Sequence, residues 1–246
     1  MEPRKLNWTF IHWHYTTCIR AALCIIQELT AKRFSGVAWA LSTSPKDINI
    51  ISEWESDMPN NSSLHKVPSM LTYNSKGTVT SWGYDLDSQR DFVSWFKLSL
   101  SEEASERFAN EQPQRFEKLE KILAHLKKEP VDVVSDYLRC LWGHATEVIQ
   151  RAIGRQLWEN IGIKIVLTLP AIWDHKAQEL TRKAADMAGL LARTGTSLEL
   201  IGEPESAALA VFEEMGLLKK RGLKVVPSSI HLWFTDFLDW RFFRCV

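Results

Sequence analysis

The sequence predicts a mixed α/β domain, and three observations carry that prediction. Residues 163–212 alternate strand, helix, strand and helix patterns, as in domains that pack helices on a parallel sheet. Residues 34–84 are rich in strand-forming residues and turn signals. The 246 residues, 45% of them hydrophobic, suffice for one domain or two small lobes with a sizeable core. We therefore expect a mixed sheet with flanking helices.

The first part of the chain supplies strands. Their β-branched and aromatic content predicts strands over 34–41 and 48–54. Residues 67–73 and 78–84 are predicted to pair as a hairpin, because the intervening residues 74–77 read Asn-Ser-Lys-Gly and supply turn chemistry.

Helical periodicity dominates the middle of the chain. Apolar residues recur on one face over 114–128 and again over 131–153, where Asp132 supplies a helix-start signal. Pro130 is expected to end the first of these helices. His144 lies beside the apolar face of the second helix, and we interpret it as a core-edge residue rather than a ligand.

The following segment predicts parallel strands. Residues 162–169 are almost continuously apolar, which indicates a central strand covered on both faces. A helix over 174–191 and a strand over 198–201 follow, and a Gly-Glu-Pro turn opens the next helix. Because parallel neighbours deliver their carboxyl ends to one edge of the sheet, we expect Pro170 and Glu203 to face the same cleft.

Composition restricts the classes of partner. The formal net charge is zero, from 30 basic and 30 acidic residues, which argues against nucleic acid. The four cysteines have no CxxC spacing, so we expect reduced thiols in a cytoplasmic protein. No run approaches a membrane span. His12, His14 and Cys18 lack a second ligand cluster, so an ordinary terminus is favoured over a metal site.

Glu203 is the candidate catalytic residue, and its local setting allows two interpretations. Pro204 suits the first position of a helix, so the carboxylate would lie near the positive end of the helix dipole at the mouth of the sheet. A simple helix-start charge without any function suits the same position. Spacing alone favours the simple charge.

A series of short motifs changes that balance. In chain order they are Leu-Pro-Ala at 169–171, Thr181, Ala-Gly-Leu at 188–190, Glu-Pro at 203–204 and Ala-Ala-Leu at 207–209. Their order and spacing resemble the nucleotide-binding domain of the heat shock protein 70 family, which has the actin-like ATPase (ribonuclease H-like) fold. The resemblance implies that 34–217 is the first lobe of such a domain, between a divergent extension, 1–33, and a divergent tail, 218–246.

The resemblance implies binding of ATP with Mg²⁺. In the family, the glutamate that corresponds to Glu203 lies beside magnesium and the nucleotide phosphates. The proline that corresponds to Pro170 belongs to a hinge, and Gly202 shares the turn that presents the glutamate. Lys97 matches a phosphate-contacting lysine, although a surface lysine beside an aromatic pair is an equal alternative.

Two phosphate loops of the family have no match in this chain. Family members carry Asp-Phe-Gly-Thr-Thr before an aromatic-Ser-Gly-Val-Ala strand, whereas residues 29–33 here read Leu-Thr-Ala-Lys-Arg. Ser35 and Gly36 keep the trailing edge of that loop and are candidates for cofactor contact. Nothing in 218–246 matches the second loop, and Gln178 stands where the family usually has arginine. We therefore expect a truncated relative with severely impaired ATP hydrolysis.

The C-terminal tail is unusually aromatic. It contains Trp233, Phe234, Phe237, Trp240, Phe242 and Phe243. The simpler interpretation is a short helix that covers an exposed edge of the domain. The more specific interpretation is an apolar surface that binds a partner. The competing hypothesis for function is a catalytically inert interaction module that binds protein through this tail or the open cleft. A truncated or misassembled gene would also account for both divergent ends.

Overall fold

The chain is described from a computed structural model. The described residues are 20–26, with backbone alone, and 34–44, 47–54, 65–86, 91–206 and 208. Predictions for the loop at 29–33 and for the tail at 218–246 lie outside these residues.

The described residues form strands and helices in the following order. The strands are β1 (Arg20–Ile26), β2 (Phe34–Leu41), β3 (Asn49–Ile50), β4 (Val67–Pro68), β5 (Met70–Tyr73), β6 (Val79–Trp82), β7 (Phe92–Ser94), β8 (Gly162–Leu169) and β9 (Thr196–Gly202). The helices are a 3₁₀ helix (Phe96–Leu100), α1 (Glu102–Glu111), α2 (Pro113–Leu126), α3 (Pro130–Ile153), α4 (Arg155–Asn160) and α5 (His175–Met187).

The larger sheet is mixed, as the sequence predicted. Its strand order is β3-β2-β1-β8-β9, with β4 added to β2. Strand β2 runs antiparallel to β1, whereas β1, β8 and β9 are parallel. The predicted central position of β8 is confirmed, because β8 lies between β1 and β9 and buries Ile163, Ile165 and Leu167.

Strand β1 corrects one expectation from the sequence. It lies within 1–33, the segment left outside the lobe, yet it pairs with both β2 and β8 in the middle of the sheet. The strand begins at Arg20, and the apolar run that follows, 21–26, is too short to indicate a strand from the sequence alone. The sheet of the lobe therefore includes residues 20–26. The predicted boundaries of the lobe at 34–217 and of the tail at 218–246 stay predictions.

The predicted hairpin is confirmed as the pair β5–β6, and β7 adds a third strand in the order β6-β5-β7. The side chain of Asn74 accepts hydrogen bonds from the backbone N–H groups of Lys76 and Thr78, at 3.0 Å each. Strand β3 is shorter than predicted. Ile51 and Trp54 lie in the core beyond its end, so their apolar character reflects burial rather than strand pairing.

The long helices match their periodic patterns, but Pro130 has a different role from the one expected. It occupies the first turn of α3, where Glu129 and Asp132 form a reciprocal capping box. Helices α1 and α4 were not predicted, because each buries too few apolar residues to show a helical period. No helix within the described residues is long and apolar enough to cross a membrane.

His144 on α3 is a core residue, which confirms its interpretation from the sequence. Its ring stacks on Trp54 with 5.0 Å between centroids and meets Trp82 edge-on at 6.0 Å. The side chain is almost completely buried. The periodic face of α3 thus carries both the aliphatic core and this aromatic cluster.

Gly83 offers a sharp test of the packing between the two sheets. Its φ is +65°, and a Cβ atom there would lie 2.6 Å from Cγ2 of Val67. We expect Gly83→Ala to lower the free energy of unfolding by about 2 kcal/mol, measured by urea denaturation. Gly143→Ala is the control, because a Cβ on this exposed helical glycine meets nothing within 4 Å. We expect that control to stabilise the protein slightly, and equal stability of the two variants would contradict the prediction.

Candidate functional site

The ends of β8 and β9 place two predicted site residues side by side. The two strands are parallel, and Leu169 pairs with Gly202 in their register. Pro170 and Glu203 therefore follow at the same edge of the sheet, which confirms the predicted topology. Glu203 is half-buried and begins a helical segment at 203–206.

Other elements reach the same edge. Strand β1 runs parallel to β8, and its last residue, Ile26, pairs with Gly36 near the start of β2. Helix α5 begins there too, where the Asp174 side chain accepts a hydrogen bond from the N–H of Ala177 at 2.8 Å. The carboxyl edge thus collects a helix start and the point where the chain returns into β2. Ligands gather at such edges in α/β sheets.

Lys97 is buried, so the surface-lysine interpretation is wrong. Only 8% of the surface of Lys97 is exposed, and burial lowers the pKa of its ammonium group to about 8. The negative charge of Glu203 opposes this shift, which brings the two candidate residues into one electrostatic environment. A buried lysine normally needs a partner of opposite charge.

The backbone around Lys97 explains why this lysine turns inward. Trp95, at the start of the 3₁₀ helix, has a φ of +67°, a conformation that costs energy in a bulky residue. Its ring stacks on Phe108 with centroids 5.3 Å apart, and Arg115 lies over it at 5.5 Å. These contacts hold a strained turn that directs the next residues into the lobe.

The side chain of Ser35 lies inside the lobe. It is fully buried, and its hydroxyl lies 2.8 Å from that of Ser69. It therefore bonds within the lobe instead of presenting its hydroxyl at the edge. Gly36 is buried in β2, and a cofactor contact through the backbone of either residue stays a prediction. The family motif points to Ser35 as a ligand contact. Its hydrogen-bond partner, Ser69, lies 34 residues later, and no periodic pattern in the sequence reveals such a contact.

The two charged candidate residues at this edge have opposite signs, and the charge of Glu203 acts on the pKa of Lys97. The Lys97 ammonium suits phosphate oxygens, and the Glu203 carboxylate suits a hard divalent cation. Among the residues that the structure describes, no group of three or more His, Cys, Asp or Glu side chains could hold a metal by itself. A magnesium ion would therefore require ligands from elsewhere, such as substrate phosphates.

A separate cleft of about 660 Å³ lies between α2 and the smaller sheet. None of the predicted site residues lines it. Two surface ion pairs, Lys118 with Asp91 and Lys121 with Glu117, occupy its walls. Its volume alone does not indicate a ligand, so we assign the candidate site to the sheet edge.

Comparison with known proteins identifies relatives of this chain. Human heat shock 70 kDa protein 12B is 30% identical over 187 residues, which are 71% of this chain and 26% of that protein. Human heat shock 70 kDa protein 12A is 25% identical over an equal length, with the same shares. The chain is a divergent relative of the heat shock protein 70 family. No family model matches it.

The relationship to the heat shock protein 70 family covers part of those relatives. The match spans about a quarter of the length of each. It supports a common origin with an ATPase-domain protein of this family, and the mixed α/β architecture is consistent with that origin. The activity and partners of the whole relatives are not carried over by this similarity.

Proposed function

We propose that this chain binds the magnesium complex of ATP as the first lobe of a divergent heat shock protein 70-like ATPase domain, in the cytoplasm. The observation that carries the proposal is the buried Lys97 facing the charge of Glu203 at the carboxyl edge of the sheet. A buried ammonium beside a carboxylate at a ligand-binding edge is unusual in a purely structural role.

The architecture supports a ribonuclease H-like lobe. The order β3-β2-β1-β8-β9 places antiparallel β2 and β3 on one side of β1 and parallel β8 and β9 on the other. Helices α3 and α5 pack against each other over this sheet. Such a lobe presents the ends of its central strands to one cleft.

Each candidate residue has a defined part in binding. Lys97 would pair with a phosphate oxygen, and Glu203 would hold magnesium directly or through water. Gly202 has no side chain, so the backbone approaches the ligand closely, and Pro170 terminates the neighbouring strand. When bound, magnesium neutralises charge on the phosphates and orients them.

Hydrolysis is expected to be slow because positioning groups are missing. Phosphoryl transfer depends on placing the nucleophile and neutralising charge at the phosphates. The segment 27–33 contains no aspartate and no glycine, the residue types that the family uses in its first phosphate loop. Glu203 would therefore act without an opposing group from that loop.

Nucleotide titration and phosphate release test the proposal on the full chain. We expect binding of ATP with magnesium in the micromolar range and a rate of phosphate release equal to that of Glu203→Ala. The Glu203→Ala variant should bind about tenfold more weakly, through loss of its contact to the metal. Glu199→Ala is the control, because Glu199 lies on the same strand but pairs with Lys164 on an exposed face.

Other outcomes would contradict the proposal in different ways. Absence of nucleotide binding would favour the interaction module, whose tail and open cleft stay candidate protein-binding surfaces. Magnesium-dependent turnover that is lost in Glu203→Ala would refute slow hydrolysis and mean that another segment supplies the missing groups.

A further inference from the structure

Three buried hydroxyl groups meet beneath the start of β2. The Ser35 and Ser69 hydroxyls lie 2.8 Å apart, and both lower the pKa of the neighbouring Tyr137 phenol on α3. The Tyr137 hydroxyl also donates to the carbonyl oxygen of Pro68 at 3.4 Å. We call these three side chains the hydroxyl cluster. It connects β2, the β4–β5 junction and α3.

The cluster is isolated from solvent. Ser35 and Tyr137 are each 0% exposed, and Ser69 is 7% exposed. Burial raises the pKa of Tyr137 to about 12, so the phenol keeps its proton at neutral pH and remains a donor. A buried hydroxyl that loses its hydrogen-bond partner costs free energy, so these groups favour the arrangement in which they stay paired.

The ring of Tyr137 has a second contact that points to the candidate site. Its centroid lies 5.6 Å from that of Phe96, the residue next to Lys97. Phe96 is itself buried. One side chain therefore contacts both β4, which pairs with the start of β2, and the 3₁₀ helix that carries the lysine.

We propose that Tyr137 is a positioning residue, which aligns the start of β2 and the Lys97 helix for recognition of nucleotide phosphates. Its hydroxyl bonds with the carbonyl oxygen of Pro68, which pairs with Phe34 at the start of β2, and its ring supports Phe96. Ser35 joins the same junction through its hydrogen bond with Ser69. The proposal rests on the proposed nucleotide-binding function.

The two contacts of Tyr137 can be separated by mutation. Tyr137→Phe keeps the ring and removes the hydroxyl, so the Lys97 helix keeps its support while β2 loses its anchor. We expect this variant to bind ATP with magnesium about fivefold more weakly. Tyr137→Leu removes both contacts and should weaken binding further. Ser35→Ala should reproduce the effect of Tyr137→Phe.

Thr72→Val is the matched control. Thr72 is also 0% exposed, and its hydroxyl bonds with Thr80 at 2.9 Å and Ser81 at 2.6 Å within the smaller sheet. The substitution removes one buried hydroxyl and nearly preserves shape. We expect it to lower Tm as much as Tyr137→Phe does while leaving nucleotide affinity unchanged.

Hydrogen exchange makes the test independent of nucleotide binding. Without ligand, amide exchange at 35–37 should accelerate about fivefold in Tyr137→Phe and remain unchanged in Thr72→Val. Unchanged exchange in Tyr137→Phe, or equal loss of affinity in both variants, would overturn the positioning role. If the wild-type protein fails to bind ATP, the proposed function is wrong, and so is the role of Tyr137 in phosphate recognition. Hydrogen exchange would then measure only whether the Tyr137 hydroxyl stabilises the start of β2.

Discussion

Replacing Asp136 with alanine is expected to lower the free energy of unfolding by about 3 kcal/mol and Tm by roughly 10 °C. Its carboxylate accepts hydrogen bonds from Tyr73 at 3.0 Å, Lys128 at 2.8 Å and Arg139 at 2.8 Å. The side chain is only 11% exposed. Without it, Lys128 keeps a charge in a partly buried position that lacks its anion.

The effect should extend beyond one ion pair because the cluster joins several elements. Arg139 also donates to the carbonyl oxygen of Met187 at the end of α5, at 3.0 Å. Tyr73 belongs to β5, so Asp136 ties the smaller sheet and α5 to α3. Loss of the carboxylate releases all three contacts at once.

Asp91→Ala is the control for this prediction, measured by thermal and urea denaturation. Asp91 pairs with Lys118 at 2.6 Å, but its side chain is 77% exposed. Exposed ion pairs contribute little to stability even when the nitrogen–oxygen distance is short, so we expect almost no change in Tm. Equal losses in the two variants would show that burial of Asp136 is not the cause.

Replacing Lys97 with methionine is expected to weaken binding of ATP with magnesium about 30-fold. Methionine keeps the unbranched shape and most of the volume of the side chain but cannot neutralise phosphate. Because the change leaves the half-buried carboxylate of Glu203 without its neighbouring cation, we expect a modest fall in Tm as well. Titration calorimetry and thermal unfolding measure the two quantities separately.

Lys118→Met provides the comparison for Lys97. Lys118 lies on α2 with a side chain that is 53% exposed, and it pairs with Asp91 away from the sheet edge. We expect nucleotide affinity to remain unchanged in this variant. Equal weakening in both variants would indicate general charge attraction, and unchanged affinity in Lys97→Met would place the phosphates elsewhere.

Local patterns were sufficient to predict the elements around the candidate edge. The continuous apolar run predicted β8 at its observed bounds, and helical periodicity predicted α3 and α5 within a few residues. The rule that parallel strands end at one edge then placed Pro170 beside Glu203. Each of these inferences depends on a repeating pattern of side chains or on chain direction, both of which are readable from the sequence.

Other features depend on contacts between residues far apart in the chain. Strand β1 is recognisable only once β2 and β8 are present to pair with it. Lys97 has the sequence surroundings of a surface residue, and it is buried because the strained turn at Trp95 directs it inward. Ser35 is predicted as a ligand contact from a local motif, but its hydroxyl bonds with Ser69, which lies 34 residues later in the sequence.

The sequence by itself therefore determined the mixed α/β class, the main helices, the central strand and the kinship with the heat shock protein 70 family. Those properties follow from periodicity and from short motifs, which act over a few residues. Only the tertiary structure decided which polar side chains are buried and which of them meet. Burial and charge pairing depend on the complete set of neighbours around a side chain, and the folded chain supplies those neighbours.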